Sequence, residues 1–381
     1  MQIRCFLLAC AVVLTARVAT AAIPEDMGVA RLPAPGPHWF WADDFTLFND
    51  IDGRSFLIDA DSGKLLGMLA TGVVFGKIDL PRDYHVIYSA ETYYSRGSRG
   101  ERTDVVSYYD PATLEFTGEV VIPPRRQTGL LPASVSGLTD GDRFMLIYNF
   151  NPAQSVTVVD VGARKVAAEL TTPGCALVYP SGPGRFGQLC QDGRWQTIEL
   201  KDDGTEAKRS QSDAFFDPQK DPVTEKGVRL GDRWYFASRG GQMYEVDVSK
   251  AAPSFGKAWP LLSDADRAAS WTIGGHQHLA VHARTGRLYS LMHQGGVDTH
   301  KDPGTEIWAY DLAKHARVQK ITLAHPAISI ETTQDDAPVL LTATASPILD
   351  VYDAASGKLV RTIEGIGQTP LLLHTMPVQP H

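Results

Sequence analysis

Five histidines lie close together in the second half of the sequence and could bind a metal ion: His276, His278, His282, His293 and His300. Imidazole nitrogen is a common ligand of zinc and copper. On a β-strand, His276, His278 and His282 would share one face, because successive side chains alternate. However, no carboxylate or cysteine stands at a matching position, and the two glycines before His276 are typical of a turn. We therefore expect these histidines to pack in the fold or lie on its surface, and we assign no metal ligand.

The sequence has no signature of an activated nucleophile. A Gly-x-Ser-x-Gly elbow is absent. Adjacent carboxylates occur at Asp43-Asp44, Asp202-Asp203 and Asp335-Asp336, each within a predicted turn. The glycine-rich pieces 181–187 and 239–241 lack the strand-loop-helix context of a phosphate-binding loop. We assign no catalytic residue to this chain.

Aromatic residues are dense in the segment 38–48, HWFWADDFTLF. Most of them fit an inner strand and its core. One or two rings could instead lie at the mouth of the fold, where they would form an apolar wall for a ligand or a partner chain.

The N-terminus has the pattern of an export signal. Arg4 precedes an apolar run from Cys5 to Ala16, and small residues follow. Residues 1–21 are therefore predicted to be a secretory signal peptide, and the protein is expected in the periplasm. The segment around Cys10 resembles a lipoprotein cleavage site but leaves almost no hydrophobic region before the cysteine. No later segment reaches the roughly 18 apolar residues of a membrane span.

The mature chain keeps two cysteines, Cys175 and Cys190. In an exported protein such a pair most simply forms one disulfide. A metal pair or a redox centre is the alternative, but the chain has no Cys-x-x-Cys and no histidine beside either cysteine.

One hairpin pattern organises the whole chain and is clearest in residues 100–123. Alternating apolar residues in 105–109 lead to a turn at Asp110-Pro111, and a second strand returns at 119–122, which is the pattern of two antiparallel strands. Seven stretches share this pattern: 55–67, 106–118, 156–168, 195–207, 243–255, 307–319 and 349–361. Six of them carry an aspartate at the strand end: Asp59, Asp110, Asp160, Asp247, Asp311 and Asp353. We expect these aspartates to cap the turns by accepting backbone hydrogen bonds.

A strand repeat of about 50 residues is typical of a β-propeller. The sequence therefore predicts an all-β, seven-bladed propeller of four-stranded antiparallel blades over residues 38–381, preceded by an extended arm at 22–37. The longest interval, between Asp247 and Asp311, contains a predicted surface excursion at 257–278 with a short helix at 263–269. The composition is globular, and a formal net charge of −8 offers no basic surface for nucleic acid.

Several segments together resemble the heavy subunit of periplasmic amine dehydrogenases. They are ERTDVVSYYDPATLEFTGEVVIPPRR (101–126), GCALVYPSGPGRFGQLCQDG (174–193), TIGGHQHLAVHARTGRLYSLMH (272–293), THKDPGTEIWAYD (299–311) and LVRTIEG (359–365). The likeness extends in order from about residue 38 to 370. Four motifs within these segments are more similar to the heavy chain of aromatic (aralkylamine) dehydrogenase than to that of methylamine dehydrogenase. They are THK, EIW, PPRR and LVRTIEG.

The resemblance implies a seven-bladed propeller paired with a small cysteine-rich light subunit in a two-plus-two heterotetramer. The light subunit would carry tryptophan tryptophylquinone and the catalytic base, so this chain holds no cofactor. The enzyme would oxidise a primary amine to an aldehyde and ammonia and pass electrons to a blue-copper protein of the azurin or amicyanin kind.

The resemblance also implies a substrate-channel phenylalanine in the first-blade loop. Phe48 is the best match, and Leu47 or Phe45 are the alternatives. Cys175 and Cys190 match the family's disulfide segment. The alternative hypotheses are a non-enzymatic periplasmic propeller that binds a ligand or protein partner, and a propeller enzyme with its own metal site near His276 and His278.

Overall fold

A computed structural model of the chain describes residues 30–45, 52–73, 76–129, 132–296 and 298–377. The predicted signal peptide, residues 1–21, and the first part of the predicted arm, 22–29, lie outside these ranges. The described residues form 29 strands, one short α-helix and a single 3-10 turn at Ala133–Val135. They include no helix with the length and apolar content needed to cross a bilayer.

Five sheets have the form of separate propeller blades. The first contains β1 (Trp39–Phe45), β2 (Gly53–Asp59), β3 (Lys64–Ala70) and the last strand of the chain, β29 (Pro370–Thr375). The second contains β4 (Lys77–Asp79), β5 (Ile87–Tyr94), β6 (Arg102–Tyr109) and β7 (Phe116–Ile122). The third contains β8 (Ser136–Leu138), β9 (Phe144–Asn149), β10 (Ser155–Asp160) and β11 (Lys165–Thr171). The fourth contains β12 (Cys175–Gly182), β13 (Arg185–Cys190), β14 (Trp195–Leu200) and β15 (Glu206–Gln211). The fifth contains β16 (Val228–Leu230), β17 (Arg233–Ala237) and β18 (Gln242–Asp247), with β19 (Ser254–Phe255) and β20 (Trp259–Pro260) both paired to β18.

The remaining strands form one sheet of eight. They are β21 (Trp271–Ile273), β22 (Leu279–His282), β23 (Arg287–Gln294), β24 (Gly304–Asp311), β25 (Ala316–Thr332), β26 (Val339–Thr344), β27 (Ile348–Asp353) and β28 (Leu359–Glu364). The helix α1 (Asp264–Ala268) precedes them.

The prediction of seven four-stranded blades is therefore wrong. The all-β propeller fold is correct, but the described residues form five separate blades and the eight-stranded sheet. The cause is β25, which stays extended for 17 residues. Its first part, 316–322, pairs with β24, and its last part, 327–332, pairs with β26. No glycine or Asp-Gly turn interrupts the stretch TLAHPAIS between them, so the two neighbouring copies of the hairpin share one continuous sheet.

The predicted turn caps are confirmed. Asp110 Oδ1 accepts hydrogen bonds from the backbone N–H groups of Ala112 at 2.8 Å and Thr113 at 3.0 Å. The other five aspartates accept backbone hydrogen bonds in the same way: Asp59, Asp160, Asp247, Asp311 and Asp353. The hairpin at 195–207 lacks an aspartate at the strand end. There, Asp203 Oδ1 accepts a hydrogen bond from Thr205 N at 2.9 Å. These carboxylates therefore stabilise the turns by accepting backbone hydrogen bonds.

Hydrophobic clusters fill the spaces between neighbouring sheets. Phe40 and Ile58 of the first sheet belong to one buried cluster with Leu341 and Val351 of the eight-stranded sheet. On the opposite face, Trp41 and its neighbours are in a cluster with residues of the second sheet. Each sheet thus buries both faces against its neighbours, which is the arrangement that favours a propeller over a sandwich.

The segment 257–278 is not the surface excursion that its length predicts. Trp259, Leu261 and Leu262 are buried in the cluster between the fifth sheet and the eight-stranded sheet. The predicted short helix is present, and Ser263 and Asp266 form a capping box at its N-terminus. The extra length therefore adds to the core as well as to the surface.

The two ends of the propeller are joined in the first sheet, where β29 pairs antiparallel with β1. The buried carboxylate of Asp44 accepts hydrogen bonds from Gln368 N at 2.9 Å and Thr369 N at 2.6 Å. Asp43 Oδ2 lies 2.8 Å from His374 Nε2, and Asp43 Oδ1 accepts from Ser55 Oγ at 2.6 Å. The adjacent carboxylates predicted to be solvated in a turn are instead fully buried and connect the first strand to the last.

His38 strengthens the same junction from the other side. Its Nδ1 lies 2.7 Å from Asp61 Oδ1 in the first sheet, and its Nε2 lies 3.2 Å from Asp335 Oδ2, which follows β25. Burial lowers the pKa of His38, but hydrogen bonds and charges from Asp61 and Asp335 outweigh burial and raise it above its usual value. Protonated His38 therefore stabilises the closed ring.

Asp44→Ala is expected to reduce the free energy of unfolding by about 1–3 kcal/mol, because the backbone N–H groups of Gln368 and Thr369 lose their acceptor. Urea unfolding measures the difference. The matched control is Asp202→Ala, whose side chain is fully exposed, and which should stay within about 0.5 kcal/mol of wild type. Equal effects of the two substitutions would contradict the role of Asp44.

His38→Gln is expected to destabilise the protein most at acidic pH. Because the pKa of folded His38 is raised, its stabilisation is fully present below the unfolded pKa, about 6.5, and is lost as pH rises through the folded value. Thermal unfolding of wild type and variant from pH 5.5 to 8.5 should therefore give a difference that shrinks with pH. His85→Gln, at an exposed position, is the control. A pH-independent difference would refute this account of His38.

Candidate functional site

The first-blade hairpin carries the predicted channel residues. β1 ends at Phe45, which pairs with Gly53 at the start of β2. Leu47 and Phe48 fall between these strands, in residues 46–51, and lie outside the described residues. Their role in a channel therefore stays a prediction.

The base of this hairpin is tightly held. Phe45 N donates to Thr369 O at 3.0 Å, and Gly53 N donates to Gly72 O at 2.7 Å. A Cβ on Gly53 would lie 2.7 Å from Thr71 Oγ1, so glycine is needed for this close approach. The segment that carries Leu47 and Phe48 thus starts and ends on fixed, hydrogen-bonded residues.

Phe45 itself is a core residue. Its side chain is 6% exposed and belongs to a buried cluster with Val135, Leu371 and Leu372. The cluster also contains residues of the third, fourth and fifth sheets. Of the three predicted channel residues, Phe45 is the one that the structure describes, and it contributes packing.

A cavity of about 540 Å³, lined by both apolar and polar side chains, lies where the innermost strands of the sheets converge. Its wall includes residues of β4, β8, β12, β16, β22, β25 and β29. Lys77 and Asp79 form a buried ion pair there, and Asp79 also accepts from Ser136 Oγ. Lys226 Nζ donates to Gly275 O at 2.8 Å from the opposite part of the wall.

Gln277 connects three parts of this wall. Its Nε2 donates to Glu331 Oε2 at 3.1 Å and to Leu373 O at 3.0 Å, and its Oε1 accepts from Leu373 N at 2.8 Å. Burial raises the pKa of Glu331 to about 8, although the N–H groups of Thr332 and Gln277 oppose the shift. The carboxyl of Glu331 is therefore mostly protonated at pH 7.

The histidines do not converge on a metal site. His278 and His282 are buried on or next to β22, and His293 is buried on β23. Two of them use the ring in local contacts: His282 Nδ1 lies 2.7 Å from Thr285 Oγ1, and His293 Nε2 lies 3.0 Å from Thr299 Oγ1. No group of three or more His, Cys, Asp or Glu side chains suited to a metal ion occurs in the described ranges.

Sequence reasoning missed three residues of the cavity wall: Lys226, Gln277 and Glu331. They come from segments that are far apart in the chain and match no motif. The feature that could have identified them is their position on or next to the innermost strands. That position is known only once the sheet topology is known.

The predicted disulfide is present between Cys175 and Cys190. The two cysteines stand opposite each other on the antiparallel strands β12 and β13. The bond therefore links neighbouring strands of the fourth sheet.

The fold and the cavity define a class: an all-β propeller with a cavity where its innermost strands converge. The sequence profile of the methylamine dehydrogenase heavy chain family matches residues 41–377, nearly the whole propeller. The chain belongs to this family.

Named relatives agree with the family match. The methylamine dehydrogenase heavy chain of Paracoccus versutus is 28% identical over 355 residues, which cover 92% of this chain and 82% of that protein. The heavy chain of Methylophilus methylotrophus is 27% identical over 364 residues, which cover 93% and 87%.

A solved structure of a protein of unknown function from Desulfotomaculum acetoxidans has a similar fold. Its TM-score is 0.59 at 12% identity, with 89% of this chain and 99% of that chain covered. At this identity the likeness concerns the fold alone.

Phe45→Ala is expected to cost about 3–5 kcal/mol of unfolding free energy, since it removes a buried ring from the core. Phe150→Ala, at a side chain that is 56% exposed, is the control and should change stability by less than about 0.5 kcal/mol. Denaturant unfolding compares them. A stable Phe45→Ala protein would return Phe45 to the set of channel candidates.

Proposed function

We propose that this chain is the heavy subunit of a quinone-dependent amine dehydrogenase that oxidises primary amines to an aldehyde and ammonia. The observation that carries the proposal is the family match over residues 41–377, which coincides with the propeller. Aromatic amines are the proposed preferred substrates, because four motifs resemble those of the aralkylamine enzymes. They are PPRR, THK, EIW and LVRTIEG.

The chemistry is proposed for a partner chain. A small cysteine-rich light subunit would carry tryptophan tryptophylquinone and the catalytic base, in a heterotetramer of two heavy and two light chains. Trp41 and Trp234 support this division, because both are buried core residues with hydrogen-bonded ring nitrogens. Trp41 Nε1 donates to Tyr84 Oη at 3.1 Å, and Trp234 Nε1 donates to Pro180 O at 2.9 Å.

The contribution of this chain is a rigid platform and one wall of the substrate channel. Phe48 is the proposed wall residue, with Leu47 as the alternative, because both belong to a hairpin whose base is fixed at Phe45 and Gly53. Electrons would leave to a blue-copper protein of the azurin or amicyanin kind. The signal-like N-terminus supports a periplasmic location.

The substrate proposal is tested on the complex purified through a tag on this chain. Benzylamine and 2-phenylethylamine are expected to reduce a redox dye with a higher kcat/KM than methylamine. A clear preference for methylamine would refute the aromatic assignment and leave the family assignment intact.

Phe48→Ala is expected to change the ratio of kcat/KM between large and small amines by about 10-fold to 200-fold, the range for fit in an apolar pocket. The subunits should remain assembled. Phe116→Ala, an exposed residue on the outer strand β7, is the control and should leave the ratio unchanged. Identical ratios for wild type and Phe48→Ala would remove Phe48 from the channel.

A further inference from the structure

The cavity on the propeller axis has the size of a small-molecule site. Its volume of about 540 Å³ falls within the range of roughly 300–1,000 Å³ that is usual for such pockets. What it can hold follows from the charges and hydrogen-bonding groups of its wall.

Lys226 is the cationic side chain of the wall that has no ion-pair partner among the described residues. Its side chain is 8% exposed, and its Nζ donates to Gly275 O at 2.8 Å. An ammonium has three donors, so two N–H groups remain for a ligand. Within the described ranges, no carboxylate lies within ion-pair distance of Nζ. Burial lowers the pKa of Lys226, although the negative charge of the neighbouring Glu225 opposes the shift.

The other charged groups of the wall are already satisfied or neutral. Lys77 is paired with Asp79. Arg229 forms a bidentate pair with Asp140, with N–O distances of 2.6 and 2.8 Å. Glu331, with its pKa raised to about 8, is mostly neutral at pH 7. The cavity therefore has an excess positive charge at Lys226.

His278 adds a hydrogen-bond acceptor. Thr224 Oγ1 donates its proton to Ala237 O at 3.0 Å, so it accepts from His278 Nε2 at 3.2 Å. Nδ1 is then the unprotonated nitrogen, because burial lowers the pKa of His278 well below its usual value and keeps the ring neutral. Nδ1 is buried and has no partner among the described residues. A ligand with an O–H group would satisfy it.

We propose that this cavity binds a small oxyanion that also carries an O–H donor, with Lys226 holding the anionic oxygen and His278 Nδ1 accepting from the hydroxyl. Hydrogen phosphate and hydroxycarboxylates such as glycolate share this chemistry. The residues assigned to this site, Lys226 and His278, differ from the proposed channel residues.

Isothermal titration of the full chain with phosphate, glycolate, acetate and chloride at constant ionic strength tests the proposal. Phosphate, glycolate or both should bind, and acetate, which lacks the hydroxyl, should bind at least tenfold more weakly than glycolate. Binding of phosphate alone would assign a phosphate ligand, and binding of glycolate alone a hydroxycarboxylate. No binding beyond that of chloride, or equal affinity for acetate and glycolate, would overturn the proposal.

Variants locate the site. Lys226→Met should weaken binding at least tenfold, whereas Lys301→Met, at a nearby exposed lysine, should stay within twofold of wild type. If Lys226→Met does not fold, as judged by circular dichroism, His278→Gln provides the same comparison. Unchanged affinity in the folded variant would overturn the assignment to this cavity.

Discussion

The pairing of the last strand with the first is the interaction on which the rest of this structure depends. A sheet in a propeller buries both faces only when it has a neighbour on each side, so the ring must close. Here β29 joins β1, and the buried carboxylates Asp43 and Asp44 bind the side chain of His374 and the backbone of Gln368 and Thr369. If this junction opens, two apolar sheet faces become exposed to water. The closing bonds are polar and directional, and they fix the register that the apolar faces alone would leave free.

Closure also creates the central cavity. Side chains of the innermost strands meet around it. Most of the polar groups there are paired, as for Lys77 with Asp79 and Gln277 with Glu331. Such satisfied networks make the wall rigid, and Lys226 and His278 are the places where the pairing is incomplete. The axis is therefore a defined chemical environment.

The sequence predicted the local structure well because its signals are local. Asp110 and its counterparts cap turns within three residues of themselves, so their role can be read from the repeat. The capping box at Ser263 and Asp266 is equally local. The pairing of Cys175 with Cys190 followed from there being only two cysteines after the predicted signal peptide.

Predictions failed where the outcome depends on contacts between distant residues. The repeat count assumed that every hairpin closes its own sheet, whereas β25 continues through Pro326 and joins two copies into one sheet. Asp43 and Asp44 looked like turn residues, because their partners lie more than 300 positions away. Lys226 and Glu331 match no motif, and the topology alone brings both to the cavity wall.

The central claim is that this propeller is a platform for a quinone-bearing light subunit. Purification of the tagged chain from the organism that produces it, followed by native mass spectrometry and absorption spectroscopy, tests this most directly. The account predicts two heavy and two small disulfide-rich chains, with a quinone absorbance that amines bleach. A monomeric propeller without a small chain or quinone absorbance would contradict it.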